Sequence, residues 1–430
     1  MPSDTIFALS SGQPPAGIAV IRISGTAAGA ALAALAGRLP PPRRAALATL
    51  VDPADGTELD RTLVLWLPGP ATATGEDCAE LHLHGGRAVV AAVEAALMRQ
   101  PGLRRAEPGE FTRRAFANGR IDLAEAEGLA DLLTAETELQ RRAAQAMSGG
   151  ALSRAVDGWR ERLLVLSALL EAALDFADED DVGNDVPAHF VSGCRDLAQD
   201  LNAWLARPRA EPLREGFRVV LAGPPNAGKS TLFNTLVEHE AAITSAEPGT
   251  TRDVIERAVA IAGVPFSFID TAGLRDEGAG AVEAIGIARA RAEAERADLV
   301  LWLGAEGEGP LGEAVWEIDA QADRADCPRK AAPRHLISAL TGEGIGALRD
   351  AIVACARAAL PRPGEAALNT RQHRLLESVA LGVAAAAACD DPLLAAEDLR
   401  HARVALDRLV GRAGTEDMLD ALFGRFCIGK

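Results

Sequence analysis

Ile18–Ile23 and Thr62–Leu67 are short apolar runs rich in strand-forming residues, and Ala79–His84 alternates apolar with polar positions, which predicts three strands. Ala88–Met98 carries the longer period of a helix. Gly- and Pro-containing turns separate these runs, so residues 1–118 read as a small α+β domain. From Ile121 to Asp175 the pattern turns helical, and Leu163, Leu166, Leu170 and Leu174 form one apolar stripe at spacings of three and four. The acidic run Asp178–Asp181 ends that stretch, and further helix is expected to about Ala206. Helical patterning returns from about Asn369 to the last residue.

Between the helical stretches, from about Gly216 to Ala358, strand and helix patterns alternate. Phe217–Ala222 reads as a buried strand, and Glu256–Ile261 with Pro265–Ile269 as a hairpin about Gly263. Leu299–Leu303 and His335–Ile337 read as further buried strands. Such alternation predicts a mostly parallel sheet with helices on both faces. The expected division is 1–118, 119–215, 216–358 and 359–430, with the two helical segments forming one domain around an insert. Insertion is tolerated where the inserted domain's ends lie close together.

Composition narrows the functions available. The chain has 430 residues, 48% of them hydrophobic, enough for two or three domains with cores. No apolar run reaches the roughly 18 residues of a membrane span, and the first residues lack a secretion signal's basic and apolar regions. Cys78, Cys194, Cys327, Cys355, Cys389 and Cys427 are scattered, which suits reduced thiols in the cytoplasm better than a disulfide framework or zinc site. A formal net charge of −17 weighs against broad phosphate neutralisation, so any RNA contact is expected to be local, to use a partner's surface or to come from a basic patch on one face. The absence of Tyr and an aromatic content of 4% weigh against a base-stacking platform.

The strongest chemical signal is Gly223-Pro-Pro-Asn-Ala-Gly228-Lys229-Ser230, a G-x-x-x-x-G-K-[ST] loop between a predicted strand and helix. Backbone N–H groups there can surround phosphate oxygens, and the helix start adds partial positive charge. Lys229 is expected to reach the β- and γ-phosphates and Ser230 to ligate Mg²⁺. Gly249-Thr250-Thr251-Arg252-Asp253 offers a hydroxyl to complete the metal shell. Asp270-Thr271-Ala272-Gly273 offers a carboxylate for the metal's water shell and an N–H for the γ-phosphate. Many such enzymes orient water with a Gln just after D-x-x-G, but that position is Leu274. Glu283 is the best replacement; its alternative reading is a solvated glutamate at a helix start. His82 and His84 share a strand face without a third ligand nearby, so His84-Gly-Gly86 reads as a turn rather than a metal site.

With these residues in hand, the chain resembles the MnmE/TrmE family of tRNA uridine-5-carboxymethylaminomethyl modification GTPases over nearly its full length. The resemblance rests on Asp4-Thr-Ile6, Ile21-Arg-Ile-Ser-Gly25, Gly75-Glu-Asp77, Glu80-Leu81, His84-Gly-Gly86, Pro108-Gly-Glu-Phe-Thr112, Arg114-Ala-Phe116, Asp122-Leu-Ala124 and Ala126-Glu127. It rests also on the P-loop with Asn226, the Gly-Thr-Thr-Arg-Asp motif, Asp270-Thr-Ala-Gly-Leu-Arg275 and the terminal Cys427-Ile-Gly-Lys430.

The resemblance implies an N-terminal folate-binding-like, dimerising α+β domain, a discontinuous helical domain and an inserted Ras-like P-loop GTPase domain. It implies a tetrahydrofolate one-carbon derivative held by Arg22, Glu80, Arg120 and Lys430, with Cys427 at the modification centre. Arg120 stands where the family more often has Lys, which keeps charge but changes geometry. It implies GTP bound by Asn226-Ala227-Gly228-Lys229-Ser230-Thr231, Ser245-Ala246-Glu247-Pro248-Gly249-Thr250-Thr251, Asp270-Thr271-Ala272-Gly273, Asp323 and Ser338-Ala339. Mg²⁺ would take Ser230 and Thr251; K⁺ would take Asn226, Ser245, Glu247 and Thr250. By position Glu283 matches the family's water-activating glutamate, beside Lys229 and Cys427 as residues of the chemistry. A homodimer, an FAD-dependent MnmG/GidA-type partner and tRNA follow from the same resemblance.

One departure concerns the base. Guanine is normally read by N-K-x-D, and here the match is Ala320-Gln321-Ala322-Asp323, with Ser338-Ala339-Leu340 in place of Ser-Ala-Lys. The stretch from Leu303 to Ile318 is also short, which predicts a trimmed helix. Weaker guanine preference is expected, since a lost base-edge partner costs discrimination. A ribosome-associated regulatory GTPase and a nucleotide sensor without turnover are the rival readings. The N-terminal block and the Cys-Ile-Gly-Lys end disfavour the first.

Overall fold

The computed structural model describes residues 4–175, 188–238, 241–242, 255–271, 292–312, 314–324, 328–413, 416–424, 426 and 428–429. They divide into two compact units, one of residues 1–130 with 407–430 and one of residues 131–406.

The first unit is built on a six-stranded sheet in the order β3-β4-β5-β2-β1-β6. Its strands are β1 (Thr5–Leu9), β2 (Ile18–Ser24), β3 (Ala46–Val51), β4 (Glu58–Leu67), β5 (Cys78–His84) and β6 (Leu103–Arg105). All pairings are antiparallel except β1 with β6. Alternation decides which side chains are buried. Ala19, Ile21 and Ile23 of β2 and Ala79, Leu81 and Leu83 of β5 pack into one core with α1 (Ala28–Ala36) and α2 (Arg87–Met98). Arg22 and Glu80, directly paired across β2 and β5, therefore fall on the opposite face.

On that opposite side Phe111 of α3 (Glu110–Ala117) packs with Ile6 and Ala8 of β1. Ala126 of α4 (Leu123–Thr134) meets Phe423 and Phe426, the former on the helix Glu416–Phe423. The end of the chain is stitched to this unit. Ile428 bridges Pro108, and the Ser10 hydroxyl donates to the Gly429 carbonyl at 2.7 Å. Two glycines permit the approach. A Cβ on Gly109 would stand 2.1 Å from the Phe423 carbonyl oxygen, and one on Gly429 2.0 Å from that of Leu9, and both have positive φ.

The second unit combines helices with a seven-stranded sheet in the order β13-β12-β11-β7-β10-β9-β8. The strands are β7 (Phe217–Ala222), β8 (Ala241–Ala242), β9 (Ile255–Ile261), β10 (Val264–Asp270), β11 (Leu299–Trp302), β12 (Val315–Asp319) and β13 (His335–Leu336). β10, β7, β11, β12 and β13 run parallel, and β9 and β8 are antiparallel additions. The expected hairpin turns at Ala262-Gly263, both with positive φ, as a two-residue connection requires. No helix joins β11 to β12 among the described residues. His335–Ile337 differs from the buried strand expected of it: β13 is a two-residue edge strand with Leu336 half exposed, and only Ile337 is fully buried.

The predicted leucine stripe lies on α6 (Ala151–Asp175), with Leu163, Leu166 and Leu170 buried. α7 (Ala188–Leu205) packs along α11 (Thr370–Ala388), so segments on either side of the sheet domain in sequence share one helical assembly. α12 (Pro392–Leu409) follows α11. Leu139 and Ala143 of α5 (Glu138–Ser148) and Leu213 of α8 (Glu211–Glu215) enter the sheet's own core. Gln140 of α5 donates to the Leu213 carbonyl at 3.0 Å, having capped its own helix with Thr137. α9 (Lys229–Val237) and α10 (Ile345–Ala359) complete the unit.

Candidate functional site

In an open parallel sheet, ligands bind outside the carboxyl ends of the strands. The predicted nucleotide residues meet that condition one strand at a time. The P-loop follows β7, Asp270 closes β10, Gln321 and Asp323 follow β12, and Ser338 follows β13.

β7 and β10 are buried along almost their whole lengths, which fixes where their ends point. α9 begins at Lys229 and sinks Leu232, Phe233 and Leu236 into the sheet core. Its first turn thus faces the strand ends. Lys229 is 5% exposed, and its ammonium donates to the carbonyls of Gly223 (2.9 Å) and Pro224 (2.7 Å). The Ser230 hydroxyl donates to Asp270 Oδ2 at 2.6 Å. Asp270 is 1% exposed, and Thr271 beside it donates to the Leu221 carbonyl at 2.8 Å, locking the end of β10 onto β7. A buried cation, a hydroxyl and a carboxylate therefore converge at one helix start. Asn226 and Thr231 are exposed, and Ala227 and Gly228 half-buried, on the same loop and turn.

The residues expected to read the base depart further from the family pattern. Asp323 Oδ1 accepts the Ser338 hydroxyl at 2.5 Å, and Ser338, fully buried, accepts the Thr341 N–H at 3.1 Å. That hydroxyl, and then the residue's own N–H, hold the Asp323 carboxyl below its ordinary range. Ala339 accepts from Thr235 of α9 at 3.3 Å. Sequence reading treats Ala320 and Gln321 only as losses, yet Gln321 Nε2 donates to the Asn226 carbonyl at 2.9 Å. Arg329, also unforeseen, donates to the carbonyls of Ala322 (2.7 Å) and Arg324 (3.2 Å). Lys330 ties the same connection to the sheet through the Trp302 carbonyl and Glu317.

In the first unit Arg22 and Glu80 form a pair, with Nε and Nη2 at 3.0 and 2.9 Å from Oε1. His82 Nε2 lies 3.3 Å from Glu80 Oε2, and Arg22 sits 5.9 Å from the Phe111 ring centroid. His84 pairs with Asp60. Arg120 is exposed, its stem beside Gly75. A cleft of about 500 Å³ beside the tail is lined by Phe7, Gln13, Arg87, Arg105 and Ile428 among others. Arg22, Glu80 and Arg120 lie outside its lining.

Several quoted motifs turn out to be one ionic framework. Arg114, 5% exposed, donates to Glu110 (2.9 Å), Glu76 (3.2 Å) and the Asp4 carbonyl (3.0 Å). Arg104 reaches Asp4 and both oxygens of Glu110, and Ser24 donates to Glu76 at 2.7 Å. Burial pushes the Glu110 carboxyl up, but hydrogen bonds from Arg104, the Glu107 N–H and Arg114 outweigh it, so it lies below its usual range.

Glu283, Cys427, Lys430, Ser245, Ala246, Glu247, Pro248, Gly249, Thr250, Thr251, Ala272 and Gly273 lie outside the described residues. Among the described residues no helix is long and apolar enough to cross a membrane.

Comparison with known proteins matches residues 5–120 to the family described as the GTP-binding protein TrmE N-terminus. Residues 123–427 match the MnmE helical domain. A protein of Novosphingobium aromaticivorans named tRNA modification GTPase MnmE is 73% identical, covering 100% of both chains. Its namesake in Erythrobacter litoralis is 64% identical over 99% of this chain and 100% of its own. Among solved structures, the G domain of the T. maritima FeoB iron transporter is 27% identical, covering 32% of this chain and 98% of that one, with a TM-score of 0.24.

Proposed function

The chain belongs to the MnmE family of tRNA modification GTPases, and from that premise we propose that its GTP hydrolysis drives addition of a carboxymethylaminomethyl or aminomethyl group to C5 of the wobble uridine of certain tRNAs. The observation that carries the hydrolytic reading is the approach of Ser230 to Asp270 beside buried Lys229. Those hard oxygen donors at a helix start fit Mg²⁺ and a phosphate chain.

The residues then divide the work. N–H groups of Asn226 to Ser230 surround the β- and γ-phosphates, and Lys229 exchanges its carbonyl partners for phosphate oxygens. Ser230 and Asp270, with Thr251, would hold Mg²⁺, which when bound neutralises charge on the phosphate oxygens. The exposed carboxamide of Asn226 fits an alkali cation, and with Ser245, Glu247 and Thr250 it would hold K⁺, a positive charge where other GTPases use an arginine. Glu283 orients the attacking water. Asp323, aligned by Ser338, accepts hydrogen bonds from the guanine edge. Loss of the γ-phosphate releases the Thr251 and Asp270 loops and so times the modification.

The outer residues supply the rest. The guanidinium and carboxylate of Arg22 and Glu80, side by side on one sheet face, fit a ligand with an amide-like edge and carboxylates. With Arg120 and Lys430 they would hold a tetrahydrofolate derivative, which supplies the one-carbon unit. Cys427 stands at the modification centre. The chain works as a cytoplasmic homodimer with an FAD-dependent MnmG/GidA-type protein. Its domains divide at 118, 215 and 358.

GTP turnover in K⁺ and in Na⁺ buffers tests the hydrolytic part. K⁺ stimulation that Glu283→Ala abolishes is expected. Equal turnover in both salts would remove the potassium site, and a fully active Glu283→Ala the assignment of the base.

A further inference from the structure

The loop after β12 and the P-loop are far apart in sequence, yet one side chain joins them. Gln321 Nε2 donates to the Asn226 carbonyl at 2.9 Å. Around Gly228, the nearest atoms that a Cβ there would meet are Nε2 and Cγ of Gln321, at 3.5 and 3.8 Å. The amide therefore lies across the turn from Asn226 to Gly228, whose N–H groups would surround the phosphates on the proposed reading. Gln321 itself has a φ of +66° and Asn226 one of +61°. Asparagine enters that region readily and glutamine much less so. The backbone at Gln321 is held in a costly conformation, which needs the surrounding structure to maintain it.

The far side of this loop is anchored independently. Arg329 binds the carbonyls of Ala322 and Arg324, and Ser338 holds Asp323. The loop is thus braced at Ala322–Arg324 and bonded at Gln321 to the P-loop.

We infer that Gln321 is a positioning residue that couples guanine reading at Asp323 to the cation site at Asn226. The inference rests on the proposed reading of Asn226 as a K⁺ ligand. The Asn226 backbone carbonyl takes the Gln321 amide, which fixes the residue whose carboxamide would hold the cation. Because one side chain joins the two loops, disturbing Gln321 changes both nucleotide affinity and K⁺ requirement. The contact needs a donor at Gln321. A lysine there retains the donor, and an ionised glutamate of the same shape removes it and repels the carbonyl.

The test uses the full chain carrying Gln321→Ala, Gln321→Glu or Gln321→Lys. Affinity for a fluorescent GDP analogue is titrated in K⁺ and in Na⁺, and the K⁺ concentration giving half-maximal GTP turnover is measured. Loss of one hydrogen bond predicts GDP binding weaker by about 3- to 10-fold for the Ala and Glu variants. Their K⁺ requirement rises by a similar factor, while the Lys variant stays near the parent in both. Thermal melting of the three variants checks that the fold is kept. Parental GDP affinity and parental K⁺ requirement in both Gln321→Ala and Gln321→Glu would overturn the inference. A parent that K⁺ does not stimulate would instead remove the potassium reading. GDP affinity alone would then decide whether Gln321 supports the base-reading loop.

Discussion

Replacing Arg114 with Met removes the centre of the ionic framework while keeping most of the buried volume. Arg114 is 5% exposed and binds Glu110, Glu76 and Asp4. Breaking a buried pair by deleting one partner costs about 3–5 kcal/mol. Arg104 still serves Glu110 and Ser24 still serves Glu76, so the lower bound applies. A loss of about 3 kcal/mol, at a slope of about 2 kcal/mol per molar urea, moves the midpoint down by about 1.5 M. Trp66 is the one tryptophan of residues 1–130 and 407–430, so its fluorotryptophan resonance reports on that unit. Arg105→Met is the control: Arg105 is 63% exposed in its pair with Glu94, and its loss costs at most about 1 kcal/mol. The pH dependence has a definite sign. Glu110 and Asp4 titrate lower in the folded chain than unfolded, so their contribution is present above the ordinary carboxylate range and is lost as pH falls through their depressed values. The parent and Arg114→Met should therefore converge in acid. An unchanged Trp66 midpoint at neutral pH would refute the framework's role.

Two further outcomes follow from the second unit. Ser338→Ala removes the hydroxyl that aligns Asp323, and competition binding should find GDP affinity lowered about 5-fold while ADP affinity is unchanged. Burial pushes the Cys194 thiol up to about 11. Its thiolate fraction at pH 8 is then roughly 100-fold or more below that of an ordinary thiol, and peptide mass spectrometry after iodoacetamide should find it unlabelled in the native protein.

Legibility followed physical cause. β2 and β5 were readable because one face is buried and the other is not, so Ile21 and Arg22 alternate in kind. α1 and β3 were not, because their alanine-rich runs show neither period clearly. β12 is five residues long and follows a connection whose described residues form no helix, leaving little spacing by which to expect it. At the candidate site, the P-loop, Asp270 and Asp323 could be proposed from sequence because short local motifs carry them, and the structure sets them at neighbouring strand ends. The Arg114 framework could not, since its partners come from Asp4, Glu76 and Arg104, distant in sequence. Gln321 was hidden for a related reason: its partner is a backbone carbonyl, which leaves no residue type to recognise.

On the proposed reading, a triphosphate held at Lys229, Ser230 and Asp270 powers the modification of tRNA. Mass analysis of wobble uridines in cells whose only copy of the protein carries Lys229→Ala tests it most directly. Unmodified uridine is expected although the folded variant accumulates at parental levels. Parental amounts of the modified base, with GTP hydrolysis abolished in the same variant, would contradict it.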